Sequence, residues 1–511
     1  MELVLDGHSL QPLAVEDFSR QALIPTAHPK VRLAPIAAER VAKASAFVED
    51  VVRLAKPVYG INTGFGKFAE VAISPDKLVE LQENLIRSHA AGYGEPLSRD
   101  LVLMMWVLRL NTIARGNSGV RVETVEKICR ILETGILAVV PARGSVGASG
   151  DLAPSAHMTL ACLGEGLCTM PSSKGFVTLP ASDALKQAGL SALKLGPKEG
   201  LSLINGTQLT TALALRGWSE GRKLLAAGNL AASLSIEGLR ASHALFSTEV
   251  LEARNQPGAL ACGQQMKEWT NGSTEISQSH ENCGRVQDSY SLRCAPQVHG
   301  MLWEELSQSE RVIQREINAS TDNPLLFPEK NLSISGGNFH AAYTAKVCDN
   351  LASALTTFAC ISERRISLAM STETSLLPPF LTPDGGLNSG FMMAQVTAAA
   401  LASECKSQSF PASVDSIPTS GDREDHVSMG PAAGLKLQRI VENVRGVIAI
   451  EILAACQALD LLAPLKSSPK IQSIHAQVRA QVPRLERDRI LSPDIEAVAE
   501  MIRQGLGGNS V

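Results

Sequence analysis

Residues 338–377 read NFHAAYTAKVCDNLASALTTFACISERRISLAMSTETSLL, forty residues with no glycine or proline, bounded by Gly336-Gly337 and Pro378-Pro379. Inside this stretch Tyr343, Val347, Leu351, Leu355, Phe358 and Ile361 recur every three or four positions, the spacing of one helix face. With no internal breaker, the stretch predicts a helix far longer than the usual three or four turns. A second long helix is predicted from about residue 301 to the turn at Asp322-Asn323-Pro324, and a third over 431–464. In the third, Leu437, Ile440, Val441, Val444, Val447, Ile448, Ile450, Ile452 and Leu453 cover most of the circumference. A helix apolar nearly all round is buried among others, so the fold class is mainly α, with a long central helix bundle.

Outward from these helices the punctuation agrees. Ser74-Pro75-Asp76 and Ser492-Pro493-Asp494 each place a capping residue before a proline at a helix start. The glycine-rich stretches 59–66, 144–150 and 385–390 fall between helical patterns and read as loops, where a rigid scaffold usually carries its chemistry. Neither an internal repeat nor a linker-like segment divides the 511 residues. The expected organisation is therefore a single domain over 1–511, with a smaller loop-rich N-terminal region to about residue 200 and the bundle from about 201.

Composition narrows the partners. Lys plus Arg at 47 against Asp plus Glu at 51 leaves a net charge of −4, which gives no basic footprint for nucleic acid. Aromatics are 4% of the chain, with four Tyr and four Trp, too few for base-stacking platforms or membrane girdles. The apolar run 447–463 is broken by Glu451 and Asp460 and is shorter than the roughly 20 residues a membrane span needs. The start, MELVLDGHSL, lacks a signal-peptide layout, and the ten Cys include no Cys-x-x-Cys pair, so a reducing, cytoplasmic location and a small-molecule partner are expected.

Several motifs invite chemistry. Gly64-Phe65-Gly66-Lys67-Phe68-Ala69, followed by Glu83, matches a dinucleotide fingerprint, but the alternating strands and helices it requires are missing, and Phe68 stands where a phosphate loop needs Ser or Thr. A nicotinamide-dependent oxidoreductase is thus the weaker alternative of a different class, and no nucleotide is expected. His280-Glu281-Asn282-Cys283 has no second ligand pair, so no metal is expected either. There remains Gly144-Ser145-Val146-Gly147-Ala148-Ser149-Gly150-Asp151-Leu152-Ala153-Pro154. It reads either as a flexible turn capping a helix that begins near Asp151, or as a reactive segment: a backbone able to fold tightly on itself, an unhindered glycine nitrogen and a serine that can lose water.

In order along nearly the whole chain, these blocks resemble the aromatic amino acid ammonia-lyases: Tyr59-Gly60-Ile61-Asn62-Thr63-Gly64-Phe65-Gly66, Arg87-Ser88-His89-Ala90-Ala91-Gly92, Ala148-Ser149-Gly150, Leu203-Ile204-Asn205-Gly206-Thr207-Gln208, Gln287-Asp288-Ser289-Tyr290-Ser291-Leu292-Arg293-Cys294, Ser335-Gly336-Gly337-Asn338-Phe339-His340, Asn388-Ser389-Gly390-Phe391-Met392 and Glu424-Asp425-His426-Val427-Ser428-Met429. The resemblance implies the fumarase/aspartase-like bundle, a homotetramer whose sites combine residues of several subunits, and a methylidene-imidazolone (MIO) prosthetic group made from Ala148, Ser149 and Gly150. In that reading the Gly150 nitrogen attacks the Ala148 carbonyl carbon, and water is lost there and from the Ser149 side chain. The product supplies an electrophile, which the twenty side chains lack. A helix dipole beginning near Asp151 would favour negative charge developing on the ring.

The same resemblance implies roles for single residues. Tyr59 is the expected base for the β-proton. Arg293 grips the substrate carboxylate through its planar fork, and Asn205 assists at the carboxylate or amine. Tyr290, Gln287 and Phe339 line and polarise the prosthetic ring. The electrophile captures either the amine or the aromatic ring, and the residues do not decide between them. Ser88-His89 and Glu424 resemble the histidine-acting members, since a carboxylate can accept a hydrogen bond from an imidazole N–H that a phenyl ring cannot offer. L-Histidine is therefore the expected substrate and trans-urocanate plus ammonia the products, with a tyrosine or phenylalanine lyase or an aminomutase as the alternative within the family. One departure falls at Val250-Leu251-Glu252-Ala253-Arg254-Asn255-Gln256-Pro257, where many histidine-acting members carry an Ile-His and a nearby Arg-x-His pattern.

Overall fold

The computed structural model describes residues 2–54, 57–68, 70–281 and 284–508, without the side chain of Lys67. It is mainly helical, as expected. Among the described residues the strands form only four small sheets, none wider than three strands, so the alternating sheet that a dinucleotide fold requires is not there. The chain packs as two compact units that interleave along the sequence. One takes Met1–Arg216, Glu310–Cys348 and Pro411–Leu435; the other takes Gly217–Ser309, Asp349–Phe410 and Lys436–Val511. The first unit thus runs to residue 216 and includes two later segments.

The stretch 338–377 yields a helix over Ala342–Met370, shorter than its breaker-free length. Its apolar face is confirmed from Val347 through Leu351 and Leu355 to Phe358, all buried, but Tyr343 in the first turn is 73% exposed. The second helix begins earlier than expected and runs Ala295–Glu316; the third runs Gly430–Leu461. In the third, all nine apolar residues from Leu437 to Leu453 named above are buried, as the pattern required.

A fourth long helix, Gln208–Gly238, was not foreseen. Glycine weakens a helix interior by about 1 kcal/mol relative to alanine, so Gly217, Gly221 and Gly228 hid it. In the second unit these glycines are packing devices. A Cβ at Gly217 would sit 2.3 Å from Leu437 Cδ2, and one at Gly228 would sit 2.2 Å from Phe358 Cζ. The missing side chains let neighbouring helices approach, which is what a bundle needs. Polar groups also lock this bundle: the Trp218 indole N–H donates to the Leu306 carbonyl at 3.0 Å, and Arg365 and Glu451 pair while both are buried.

In the first unit the helices Leu78–His89, Leu152–Cys162 and Glu199–Ile204 pack on one another. The helix Arg99–Ala114 is buried from Asp100 to Ala114. A short 3-10 turn starts at Pro75 as expected, although the Ser74 side chain makes no capping bond, and the last helix starts one residue earlier than expected, at Ser492, with Pro493 in its first turn.

Candidate active site

The loop 144–150 joins the strand Pro141–Arg143 to the helix Leu152–Cys162. It is tightly braced. The Gly147 N–H donates to Ser145 Oγ at 3.0 Å, Ser428 Oγ donates to the Gly147 carbonyl at 3.2 Å, and the Met429 N–H donates to the Val146 carbonyl at 2.9 Å. Gly150 has φ +80° and pairs with Gly206 as an isolated parallel bridge. A Cβ at position 150 would lie 2.2 Å from the Gly206 carbonyl oxygen, so both the backbone conformation and the close approach demand glycine. The same absence of a side chain leaves the Gly150 nitrogen unhindered, so the tripeptide fits the prosthetic group expected of it.

Ser149 Oγ donates to Glu424 Oε1 at 2.7 Å, across 275 positions of sequence. The second carboxylate oxygen, Oε2, accepts from Thr419 Oγ1 at 2.7 Å, and the Thr419 N–H donates to the Glu424 carbonyl at 3.0 Å. A small hairpin-like turn therefore aims Glu424 at Ser149. The carboxylate also acts on two more expected residues. Burial pushes the Tyr59 phenol above its ordinary value, the Gly66 N–H bonded to its oxygen opposes this, and the negative charge of Glu424 adds to it. Burial pulls the His89 imidazole below its ordinary value, while its bond to Leu85 and the charge of Glu424 oppose. Ser149, Glu424, Tyr59 and His89 thus form one cluster.

Hydrogen bonds settle the His89 tautomer. Its Nδ1 lies 2.9 Å from the Leu85 carbonyl, which can only accept, so Nδ1 carries the proton. The Ser88 hydroxyl, 3.0 Å from the same nitrogen, is then an acceptor there. Nε2 keeps its lone pair and can accept a hydrogen bond from a ligand. At Tyr59, the Gly66 amide is a donor to the phenol oxygen and stabilises its deprotonated form. Ala69 of the dinucleotide fingerprint lies outside the described residues, and Gly66–Phe68 is a short 3-10 turn, not a helix start.

Asn205 is buried at the end of Glu199–Ile204. Its Oδ1 has no hydrogen-bond partner among the described residues. Two residues beside it carry functions that the sequence reading missed. A helix begins next to Asp151 as expected, at Leu152. The buried Asp151 carboxylate also caps a second one: Oδ2 accepts from the Thr210 N–H at 2.8 Å and Oδ1 from Thr210 Oγ1 at 3.1 Å, in the first turn of Gln208–Gly238. Burial pushes its carboxyl up to about 7, against the bonds from Thr210 and Leu209. The other is Arg109, fully buried, whose Nη1 donates to the Asn205 carbonyl oxygen. A lone arginine in the apolar run LVLMMWVLRL was the available signal.

Gln287, Tyr290 and Arg293 belong to the second unit. Tyr290 and Arg293 share the short helix Tyr290–Arg293, where the guanidinium carbon lies 4.6 Å from the Tyr290 ring centroid. Gln287 and Arg293 line a cavity of about 640 Å³ with Arg240, His243 and Asp288. Val250 lines it too, which brings the departing segment 250–257 to the cavity of two expected site residues. Tyr290 is 71% exposed, and the buried Nε of Arg293 has no hydrogen-bond partner among the described residues. Phe339 is half-buried in the first unit. Its neighbour His340 stacks on His426, two residues from Glu424, with ring centroids 5.6 Å apart.

In the His280 pair, Nδ1 of His280 lies 2.8 Å from the Ile276 carbonyl, and Cys283 lies outside the described residues. Among the described residues no group of three or more His, Cys, Asp or Glu is placed to hold a metal ion, and no helix is long and apolar enough to cross a membrane.

Known proteins resemble the whole chain. The family model described as aromatic amino acid lyase matches residues 13–480. A histidine ammonia-lyase of Anaeromyxobacter sp. (strain K) is 46% identical over 508 residues, covering 98% of this chain and 99% of that protein. Among solved structures, the histidine ammonia-lyase of Trypanosoma cruzi superposes with a TM-score of 0.91 at 39% identity, covering 99% of this chain and 94% of that one. A tyrosine aminomutase from Streptomyces globisporus reaches the same TM-score at 32% identity, covering 99% and 98%. With the fold, the tripeptide loop and nearly the full length in agreement, this chain belongs to the aromatic amino acid lyase family.

Proposed function

We propose that the protein is a histidine ammonia-lyase, eliminating ammonia from L-histidine to give trans-urocanate as the first step of histidine degradation. The observation that carries the substrate choice is the cluster of Ser149, Glu424 and His89. Glu424 offers an acceptor for an imidazole N–H, and His89 offers a second through Nε2. A phenyl or phenol ring has no ring N–H to give either group. The 46% identity to a histidine ammonia-lyase supports the same choice.

Ala148, Ser149 and Gly150 would hold the prosthetic group, which supplies an electrophile that activates the amino acid for loss of its β-proton and its amine. Once Ser149 has lost its hydroxyl, Glu424 Oε1 is released from the bond that occupies it here and becomes free for the imidazole. Glu424 Oε2 stays on Thr419, which fixes the carboxylate plane. Tyr59 takes the β-proton as its phenolate and becomes a neutral phenol; the Gly66 N–H stabilises the phenolate before that transfer. Arg293 binds the substrate carboxylate and Asn205 its polar head, while Tyr290, Gln287 and Phe339 complete the lining.

A homotetramer with sites shared between subunits is part of this proposal. In support, Val286, Tyr290, Met393 and Phe410 of the second unit are 96%, 71%, 62% and 77% exposed in the single chain. Large apolar side chains left open in the single chain suit burial against another copy. A cytoplasmic location is supported by the nine described cysteines, all free thiols. The functional test is incubation of the purified protein with histidine, tyrosine and phenylalanine separately, following conjugated product in the ultraviolet. Urocanate from histidine is expected, and turnover of tyrosine without histidine would overturn the proposal.

A further inference from the structure

Arg109 is the one cation on the apolar helix Arg99–Ala114 beyond its first residue. Burying an arginine costs several kcal/mol unless its charge is compensated. Compensation is incomplete: Nε and Nη2 have no hydrogen-bond partner among the described residues. The nearby Asp322 is already bonded to buried Lys198 at 3.1 Å. Burial draws the guanidinium down to about 10, so it remains charged at neutral pH. Among the described residues its one hydrogen bond goes through Nη1 to the carbonyl oxygen of Asn205.

That carbonyl opens the Asn205-Gly206 segment. Gly206 has φ +141°, the freedom of a hinge, and lies between the helices Glu199–Ile204 and Gln208–Gly238. Its own carbonyl accepts from the Asp151 N–H at 2.7 Å, and Gly206 bridges Gly150. Arg109 therefore anchors one side of a two-residue strip whose other side is the surface against which the Ala148-Ser149-Gly150 loop is bent. A charged donor to a carbonyl makes a stronger bond than a neutral one, and here it holds the peptide on the other side of Gly206 from the Asp151 bond.

We infer that Arg109 is a positioning residue for maturation of the site: by holding the Asn205 carbonyl it fixes Gly206 as the template that brings the Gly150 nitrogen onto the Ala148 carbonyl carbon. The inference rests on the proposed cyclisation. In that step the Gly150 nitrogen bonds to the Ala148 carbon, whose oxygen leaves as water with the amide protons of Gly150 and Ser149. The Ser149 Cα proton and Oγ hydroxyl leave as a second water, and no oxidant or reductant takes part. A ring closure of this kind depends steeply on the approach of the reacting atoms, and a displacement of about 1 Å can cost about 100-fold.

The test follows full-length wild type, R109M and R109K through cell-free synthesis, measuring by intact mass the fraction that has lost two waters. Met keeps an apolar side chain of similar length and leaves Lys198 paired with Asp322, so folding is expected to survive; far-ultraviolet circular dichroism checks it. Loss of water is expected to slow by about 10- to 100-fold in R109M, and by less in R109K, which keeps the charge without the planar fork. N205A, which keeps the backbone carbonyl, should mature at the wild-type rate. If R109M does not fold, R109K against wild type decides. Maturation of the folded Arg109 variants at the wild-type rate overturns the inference, as does N205A maturing as slowly as R109M. Wild type that never loses water would sink the proposed cyclisation instead.

Discussion

The two groups of expected site residues are built differently. Around Ser149 every element is held from several sides: the loop by Ser145, Ser428 and Met429, Glu424 by Thr419, His89 by Leu85, and the Asn205-Gly206 strip by Arg109 and Asp151. Around Arg293 the arrangement is open. Tyr290 and Gln287 are exposed, and Arg293, beside the Tyr290 ring, lines a cavity of about 640 Å³. The bond-making group needs its geometry before substrate arrives, because the tripeptide must react with itself in the folded chain. A group that grips substrate can be completed later, by the substrate carboxylate and, in the proposed tetramer, by other subunits.

The largest effect expected from this contrast is at Ser149. S149A cannot form the electrophile, and turnover of histidine should fall by about 10⁴-fold or more with the fold retained, read by ultraviolet assay and circular dichroism. Near-wild-type turnover in that variant would break the distinction between the groups. R293M tests the open group: losing the charged fork should weaken catalytic efficiency by roughly 100-fold or more, mainly through KM. Mixing and reassembling S149A with R293M, each nearly inactive, should restore measurable activity if the two groups of one site come from different subunits. No recovery would mean that each site is built from a single chain.

Smaller effects sharpen the substrate assignment. E424Q should lower catalytic efficiency on histidine by about 10- to 100-fold, the scale of a lost charged hydrogen bond, while activity on phenylalanine holds or rises. Equal losses on both substrates would take imidazole recognition away from Glu424. Because the Tyr59 phenol is pushed up, its base form grows as pH rises, so catalytic efficiency should climb by up to about tenfold per pH unit above neutrality. Acid adds to the loss once His89, pulled below its ordinary value, takes up a proton on Nε2. Y59F should flatten the alkaline limb.

The smallest effect is on stability. The Asp151 carboxyl is raised from 3.8 to about 7 in the folded chain, so the folded state binds the proton more tightly than the unfolded one. The associated stability is fully present below about pH 4 and is lost as pH rises through 7. D151N lacks this dependence. Its Tm relative to wild type should improve by about 1–3 °C between pH 5 and pH 8, measured by thermal unfolding.

Much of the molecule was legible in the sequence because its signals are local. The breaker-free run 338–377 and the all-round apolar 437–453 announce buried helices without reference to anything else. What escaped is what depends on a distant partner. The Gln208–Gly238 helix looked weak because its glycines make sense only against Leu437 and Phe358. The bonds from Thr210 to Asp151 had no local signal because Thr210 is far along the chain. Tyr343 fitted the helical face by spacing, yet it falls in the first turn and stays exposed. At the site, resemblance named the residues, but the Ser149–Glu424 bond, the His89 tautomer and the Gly66 donor to Tyr59 came only from the fold.

The most direct measurement is the mass of the proteolytic peptide that contains Ala148, Ser149 and Gly150, taken from the purified wild-type protein. A site that builds its own electrophile gives a peptide lighter by two waters than its encoded sequence. A peptide at its full encoded mass, from protein that turns over histidine, would contradict the chemistry assigned to Ser149.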